Sequence, residues 1–272
     1  MWLLRILPNN VLAYTGITYG FKGENHNIVN HAASGMQAIL EAYHAIRHGR
    51  ASRAVVVAYD IPIELQGLFY YEHLGVLSPR HLRPFDTQHD GTLLAEGAAA
   101  LVLESEFSLN ERGARPWAEI VSGQLATEGS GLFSVDQSGE CLGALLQAAV
   151  ATRPVSDFGF VVAHGNGNPA SDVSEARAIL QWSQGDVVPV TAFKWAMGHT
   201  VCASGLMDTV LAVRALRQRC VPGIATLQHL ASECDGLDAS NTTRPMLRGD
   251  HALLINRGFG GINVALVMKA CA

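Results

Sequence analysis

Two histidines, one lysine and a glycine-rich tetrapeptide stand where α/β proteins usually do their chemistry. His164 lies in Ala-His-Gly-Asn-Gly-Asn-Pro, directly after the apolar run Phe158–Ala163. A buried strand running into a glycine-rich turn puts this imidazole at the carboxyl end of a strand, the usual place for a ligand. Lys194 and His199 share the segment Lys-Trp-Ala-Met-Gly-His, between the end of another strand and the start of a helix. The chain has only three lysines (Lys22, Lys194, Lys269), so one placed five residues before a histidine stands out. Gly258-Phe259-Gly260-Gly261 falls between the last two apolar runs and offers exposed backbone N–H groups. Imidazoles, an ammonium and free amides are hydrogen-bond donors. The bland alternative makes one histidine a helix cap and the other a satisfied turn residue. The joint placement at matching strand ends weighs against it.

The elements that position these residues alternate between strand and helix. Asn27–Asn30 reads as a short strand running into a helix over Ala32–His48. Ala54–Asp60 reads as a strand, and Ala98–Glu104 as another after a loop holding two Asp and two Gly. A second block opens at Trp117–Val121. It continues with a helix around Cys141–Ala151, strand Phe158–Ala163, a helix around Ser171–Trp182, strand Val187–Phe193 and a helix from about Val201 to Arg217. Strands at His251–Ile255 and Asn263–Met268 close it. Such alternation indicates helical layers around a buried sheet. Ala33-Ser34-Gly35-Met36 recurs as Ala203-Ser204-Gly205-Leu206, each opening an apolar helix. Four common residues can coincide by chance. If the repeat is a duplication, the fold has two related halves, with a pocket where the two helix N-termini converge.

Composition narrows the function classes. Of 272 residues, 49% are hydrophobic and 16% charged, enough to bury a large core and to leave apolar surface for a partner. A net charge of -5 without a basic block removes the main electrostatic term for nucleic-acid binding. No apolar run approaches the roughly 20 residues of a membrane helix, and the opening Met-Trp-Leu-Leu-Arg-Ile-Leu-Pro is too short for a secretory segment. The expectation is a cytoplasmic protein. The five cysteines (Cys141, Cys202, Cys220, Cys234, Cys271) show neither disulfide nor zinc spacing, and the eleven histidines include no metal-ligand motif. No metal and no resident cofactor are expected.

Taken together, the motifs resemble those of the β-ketoacyl-acyl-carrier-protein synthases, the condensing enzymes of fatty-acid and polyketide assembly. Pro8-Asn9 is similar to the family's Pro-Asn ahead of its nucleophile strand. Arg83-Pro84-Phe85-Asp86, Asp90-Gly91 and Glu96-Gly97-Ala98 resemble its acidic loop, in which Asp86, Asp90 and Glu96 are structural. His164-Gly165, Lys194 to Gly198-His199, and Gly258-Phe259-Gly260-Gly261 follow its active-site motifs in order and spacing. The resemblance implies a thiolase-like duplicated α/β/α/β/α sandwich. Its partial N-terminal half would cover residues 1–112 and its C-terminal half 113–272. It also implies that His164 and His199, with Lys194 supporting the second, stabilise the enolate formed when a malonyl thioester loses CO2. The backbone N–H groups of Ala32 and Phe259 would form the oxyanion hole, and Phe259 would gate the acyl channel.

Three departures from the family matter more than the match. The nucleophilic cysteine of the family falls on Ala32 in Asn30-His31-Ala32-Ala33-Ser34-Gly35, and a methyl group forms no thioester. The Thr-x-Thr that contacts 4'-phosphopantetheine reads Asn166 and Asn168, and His89 and Thr92 replace an Arg and a Phe of the acidic loop. The family also carries a long segment ahead of Pro-Asn, so the N-terminal half is expected to be incomplete and to expose strand edges. The expected partners are an acyl carrier protein and a second ketosynthase subunit, as an active heterodimer partner or as a homodimer. The favoured reading is a non-condensing, chain-length-factor-like subunit. The alternatives are a malonyl-carrier decarboxylase making an acetyl starter and an inactive ketosynthase fragment. Cys202 precedes Ala203-Ser204-Gly205 and so matches Ala32 in the repeat; a helix start favours a thiolate there, against the plainer reading of a small buried residue. Cys141, Cys220 and Cys234 read as exposed-face residues. His31 is left out of the site because a strand neighbour points away.

Overall fold

The computed structural model describes residues 7–271. The reading of the opening segment therefore falls, for Met1–Ile6, outside the described residues. The helices are α1 (Asn10–Tyr19), α2 (Ser34–Arg47), α3 (Leu65–His73), α4 (Glu106–Glu111), α5 (Glu140–Val150), α6 (Pro169–Ser183), α7 (Lys194–Met197) and α8 (Ser204–Gln218). The strands are β1 (Arg53–Asp60), β2 (Gly97–Glu104), β3 (Ala118–Thr127), β4 (Phe158–Val162), β5 (Pro189–Thr191), β6 (Cys220–Val221), β7 (Asp238–Ala239), β8 (Arg244–Pro245), β9 (His251–Gly258) and β10 (Ile262–Ala270).

A six-stranded mixed sheet in the order β3-β10-β9-β4-β5-β7 forms the centre. Strands β4, β5 and β9 carry side chains buried on both faces, which is why they read as continuous apolar runs. Leu253, Ile255, Ala265 and Val267 face a layer made by α5 and α6. Ala252, Leu254, Val264 and Leu266 face α2 and α8. Beyond those two helices lies the antiparallel pair β1–β2, which packs Val56 and Ala58 onto them. Its other face leaves Val55, Val57, Tyr59 and Val102 exposed. The layers are those of the duplicated thiolase-like α/β sandwich, with the β1–β2 sheet covered on one face among the described residues.

The repeat is a structural duplication. The antiparallel pair β1–β2 follows α2 as the antiparallel pair β9–β10 follows α8. Ser34 Oγ donates to the His31 carbonyl at 2.6 Å, and Ser204 Oγ donates to the Val201 carbonyl at 2.9 Å. His31 and Val201 both take a left-handed backbone, with φ of 51° and 39°. Such a conformation in a non-glycine residue costs about 1–3 kcal/mol, and the cost is borne at the same place in each half.

Three sequence expectations change. Asn27–Asn30 is not a strand: Asn30 makes a single bridge to Ala32, because the left-handed turn at His31 breaks extended backbone. Helix α2 accordingly starts at Ser34 rather than Ala32, and α8 starts at Ser204 after a tight turn over Val201–Ala203. The strand expected over Val187–Phe193 shortens to β5, with Val187 exposed. Helices α1, α3 and α4 were not legible. The first two bury one side chain between them, Tyr71, so no apolar stripe marks them.

The two helix N-termini meet through glycine. A Cβ on Gly35 would lie 2.9 Å from the Cys202 carbonyl oxygen and 3.0 Å from Leu206 N. A Cβ on Gly205 would lie 2.9 Å from Met36 Cβ and 3.0 Å from Met36 N. Gly35→Val should therefore destabilise the protein by about 1–3 kcal/mol, read as a lower urea midpoint. Gly23→Ala, where a Cβ would meet nothing within 4 Å, should leave the midpoint unchanged.

Candidate functional site

His164 sits where β4 ends, in a turn that glycine makes possible. Gly165 and Gly167 both have positive φ, and a Cβ on Gly167 would lie 2.5 Å from the Gly91 carbonyl oxygen. Two buried carboxylates of α6 hold the turn. Glu175 accepts the N–H groups of His164 at 2.6 Å and Gly165 at 2.9 Å. Asp172 accepts those of Gly167 at 3.2 Å and Phe85 at 2.8 Å, and meets His89 Nδ1 at 3.1 Å. Burial pushes the Glu175 carboxyl up to about 7, against the Arg257 charge and the two N–H bonds.

The imidazole itself is oriented from the last hairpin. The Arg257 N–H donates to His164 Nδ1 at 3.4 Å, so the neutral ring carries its proton on Nε2. His199 is clamped by the acidic loop: its N–H donates to the Leu93 carbonyl at 2.7 Å, and its carbonyl accepts from Ala95 N at 3.0 Å. The two rings stand edge to face with centroids 5.3 Å apart. Burial, then the Lys194 charge, holds both well below the ordinary histidine range. Lys194 Nζ lies 2.7 Å from Asp208 Oδ2, both fully buried, and burial lifts the Asp208 carboxyl while Lys194 opposes it.

The structure brings His31, left out of the sequence-based site, into its centre. The left-handed turn aims its side chain inward, where a strand would have aimed it away. Its ring stacks on Phe259 with centroids 4.1 Å apart and approaches His199 at 6.4 Å. Its Nδ1 accepts the Phe259 N–H at 3.3 Å, and its Nε2 lies 2.7 Å from Tyr71 Oη. The Phe259 amide, expected to serve an oxyanion, is thus already bonded. Tyr71 was missed as well, because α3 was. The signal that could have found His31 is the repeat itself: it matches Val201, a residue outside the strand in the better-read half.

The remaining expected residues separate. Ala32 is fully buried beside His31. Gly258 lets the hairpin close on it, since a Cβ there would lie 2.9 Å from the Asn30 carbonyl oxygen. Asn166 and Asn168 line the same cavity, of about 160 Å³, as His31, Tyr71, His164 and His199. Their side-chain oxygens are engaged, Asn166 by Asn168 N and Asn168 by Ser171 N, where it caps α6. Their amide NH2 groups are the donors left for a ligand. Asp86 is built in: burial would raise it, but N–H bonds from Gln228, Gln88 and His229, and the Arg83 charge, hold it below the ordinary range. Asp90 and Glu96 are exposed, and Asp90 lines a separate surface pocket. Cys202 is no activated thiol. Burial and Asp60, which accepts the Cys202 N–H at 3.0 Å, push its thiol up to about 12. Cys234, read as exposed, is buried, and Cys220 is half-buried in β6. Among the described residues no His, Cys, Asp or Glu cluster could hold a metal ion, and no helix is long and apolar enough to cross a membrane.

The model of the β-ketoacyl synthase N-terminal domain matches residues 3–107, and that of the C-terminal domain matches residues 117–248. The chain belongs to the β-ketoacyl synthase family. It is 30% identical over 273 residues to 3-oxoacyl-acyl-carrier-protein synthase 2 of Mycobacterium bovis, covering 96% of this chain and 65% of that protein. It is also 30% identical over 277 residues to putative polyketide beta-ketoacyl synthase 1 of Streptomyces cyaneus, covering 97% and 65%. The chain thus spans about 65% of the length of these relatives. A β-ketoacyl synthase from Burkholderia phymatum superposes with a TM-score of 0.92 at 26% identity, over 98% of this chain and 66% of that one. A type II polyketide ketosynthase, solved with its acyl-carrier protein and bound to the hexaketide, gives 0.91 at 25% identity, over 96% and 66%. The ishigamide ketosynthase/chain length factor shares the fold at 24% identity with a TM-score of 0.85, over 92% and 61%.

Two predictions follow from this electrostatic arrangement. Lys194→Met should destabilise the protein by about 3–5 kcal/mol, because it strands Asp208 as a buried charge, and Lys194→Met with Asp208→Leu should recover most of the loss in the same denaturant titration. The second concerns pH. His31 falls from its ordinary 6.5 to about 4, through burial opposed by Asp60. Between those values the unfolded chain binds a proton that the native ring refuses, so stability is lost as pH falls through that window. His164 and His199 act in the same direction, while Glu175, raised to about 7, opposes them above the ordinary glutamate range. The shift at His31 is worth roughly 3 kcal/mol. His31→Phe should therefore flatten the fall in unfolding free energy between pH 6 and roughly 4.

Proposed function

We propose that this chain is a non-condensing ketosynthase-like subunit of fatty-acid or polyketide assembly. It receives the 4'-phosphopantetheine arm of an acyl carrier protein and pairs with an active ketosynthase, in the manner of a chain-length factor. The observation that carries the reading is the pair Ala32 and His31. The position of the family's nucleophile holds a buried methyl group, and the neighbouring imidazole takes the Phe259 amide. The nucleophile and one donor for the acyl oxyanion are both lost to acyl transfer. Asn166 and Asn168 keep amide donors along the cavity, as a carrier arm needs, and the apolar face of β1–β2, exposed among the described residues, suits a partner.

A second reading, malonyl-carrier decarboxylation, is favoured by the orientation of His164. It lines the cavity with its proton on Nε2, and His199 stands beside it, near the Lys194 charge. Loss of CO2 from a malonyl thioester leaves an enolate that two such groups could hold, with a proton from water ending the reaction at carbon.

One experiment separates the readings. The full chain is incubated with carrier protein bearing a radiolabelled malonyl group, and both protein-bound label and CO2 are followed. No label should remain on the chain after denaturation; label released by hydroxylamine would overturn the non-condensing reading. Absence of CO2 release supports the partner role. Release that drops about 10²–10³-fold in His199→Ala would establish the decarboxylase instead.

A further inference from the structure

One hydrogen-bond donor that lines the cavity has no acceptor among the described residues. Burial keeps the His31 ring neutral. The Phe259 N–H can only donate, so His31 Nδ1 accepts it at 3.3 Å and the ring carries its own proton on Nε2. That proton goes to Tyr71 Oη at 2.7 Å, so the phenol accepts from His31 and its O–H is left to point elsewhere. Among the described residues no other group bonds Tyr71 Oη. Asp60, whose charge reaches the phenol, spends its oxygens on the N–H groups of Ile61 and Cys202. Tyr71 is only 8% exposed, and an O–H that deep costs stability when nothing accepts it. The side chain lines the same cavity as His164, His199 and Asn166. Burial and the Asp60 charge hold the phenol above its ordinary range, so its proton stays on oxygen.

We propose that Tyr71 is a binding residue for the carbonyl oxygen of a pantetheine-borne thioester, donating its O–H where the Phe259 amide is engaged. The bonds run one way, from Phe259 N–H through His31 to Tyr71, and each acceptance polarises the next donor. The donor that His31 removes from the site is thus returned to it one side chain further on. A ligand oxygen gains this bond without breaking the contact between His31 and Phe259. The phenol gives that oxygen a hydrogen bond and keeps its proton, so it binds and orients and does not act as an acid. The inference rests on the carrier-arm reading and deepens it by naming the group that holds the acyl oxygen.

The test is infrared spectroscopy of the full chain with acetyl-pantetheine isotope-labelled at the thioester carbonyl. Calorimetric titrations accompany it, with the same compound, with S-ethyl-pantetheine, which has no carbonyl at that place, and with pantetheine. The bound carbonyl stretch should lie at least as low as that of the free thioester in water. The thioester should bind about five- to tenfold more tightly than the thioether, as one net hydrogen bond allows. Tyr71→Phe keeps the ring and removes the hydroxyl. It should raise the stretch towards its value in an apolar solvent and erase the difference in affinity, with thioether binding unchanged. A bound stretch at the apolar-solvent value, or equal binding of thioester and thioether, overturns the proposal in the unaltered protein, whether or not the variant folds. A low stretch that survives Tyr71→Phe assigns the carbonyl to another donor and overturns it too. Failure to bind pantetheine in any form overturns the carrier-arm reading, and this inference with it.

Discussion

Everything around the cavity hangs on the contact that Gly35 makes with Cys202 and Leu206 and that Gly205 makes with Met36. Each glycine lets the first turn of one helix lie against backbone of the other, at distances that leave no room for a Cβ. The contact fixes more than a helix crossing. Immediately before each glycine stands the same device, a serine bonded to the carbonyl of a left-handed residue. Pressing the helices together therefore brings the two strained turns together. One presents His31 and Ala32, the other follows His199 directly. The last hairpin closes the site because Gly258 has no side chain to keep it from Asn30.

Within that frame the electrostatics act in one direction. Three imidazoles in one desolvated space would repel if charged, and burial ensures that they are neutral, each holding one N–H and one lone pair. Obligate donors from the backbone then decide which nitrogen keeps the proton: Arg257 N–H for His164, Phe259 N–H for His31. The nearby buried cations are each answered by a carboxylate, Lys194 by Asp208 and Arg257 by Glu128. Arg257 also donates to the Ser171 carbonyl and to Asn263 Oδ1, tying β9, β10 and α6 into one block behind His164. A rigid, neutral, donor-lined cavity results, suited to an oxygen that gains charge inside it.

What the sequence made legible follows from where the energy lies. Strands buried on both faces and helices with a continuous apolar stripe announce themselves, and so β4, β5, β9 and β10 of the central sheet, with α2, α5, α6 and α8, were readable. So were His164, Lys194 and His199, because glycine turns at strand ends punctuate the chain around them. Exposed α1 and α3 carry no such stripe, and with α3 went Tyr71. His31 was lost to a single wrong dihedral. A residue one step from an apolar helix reads as strand, and a strand turns its neighbours outward. Only the fold shows that the chain is left-handed there, because the strain is maintained by tertiary contact rather than by any local preference.

His31 and Ala32 belong together physically. A thiol at position 32 would need an amide beside it free to receive the oxyanion of its thioester. An imidazole at position 31, aimed inward by the same turn, takes that amide instead. With a nucleophile present, His31 would stand in the way of the acyl oxygen. Beside Ala32, the ring bonds Phe259 N–H and Tyr71 Oη. The histidines across the cavity face no such conflict, because their supports, Arg257 N–H, Glu175 and the backbone of Leu93 and Ala95, lie on other elements. The amide beside Ala32 is thus engaged at the left-handed turn, while β4, β9 and α7 hold the two histidines across the cavity.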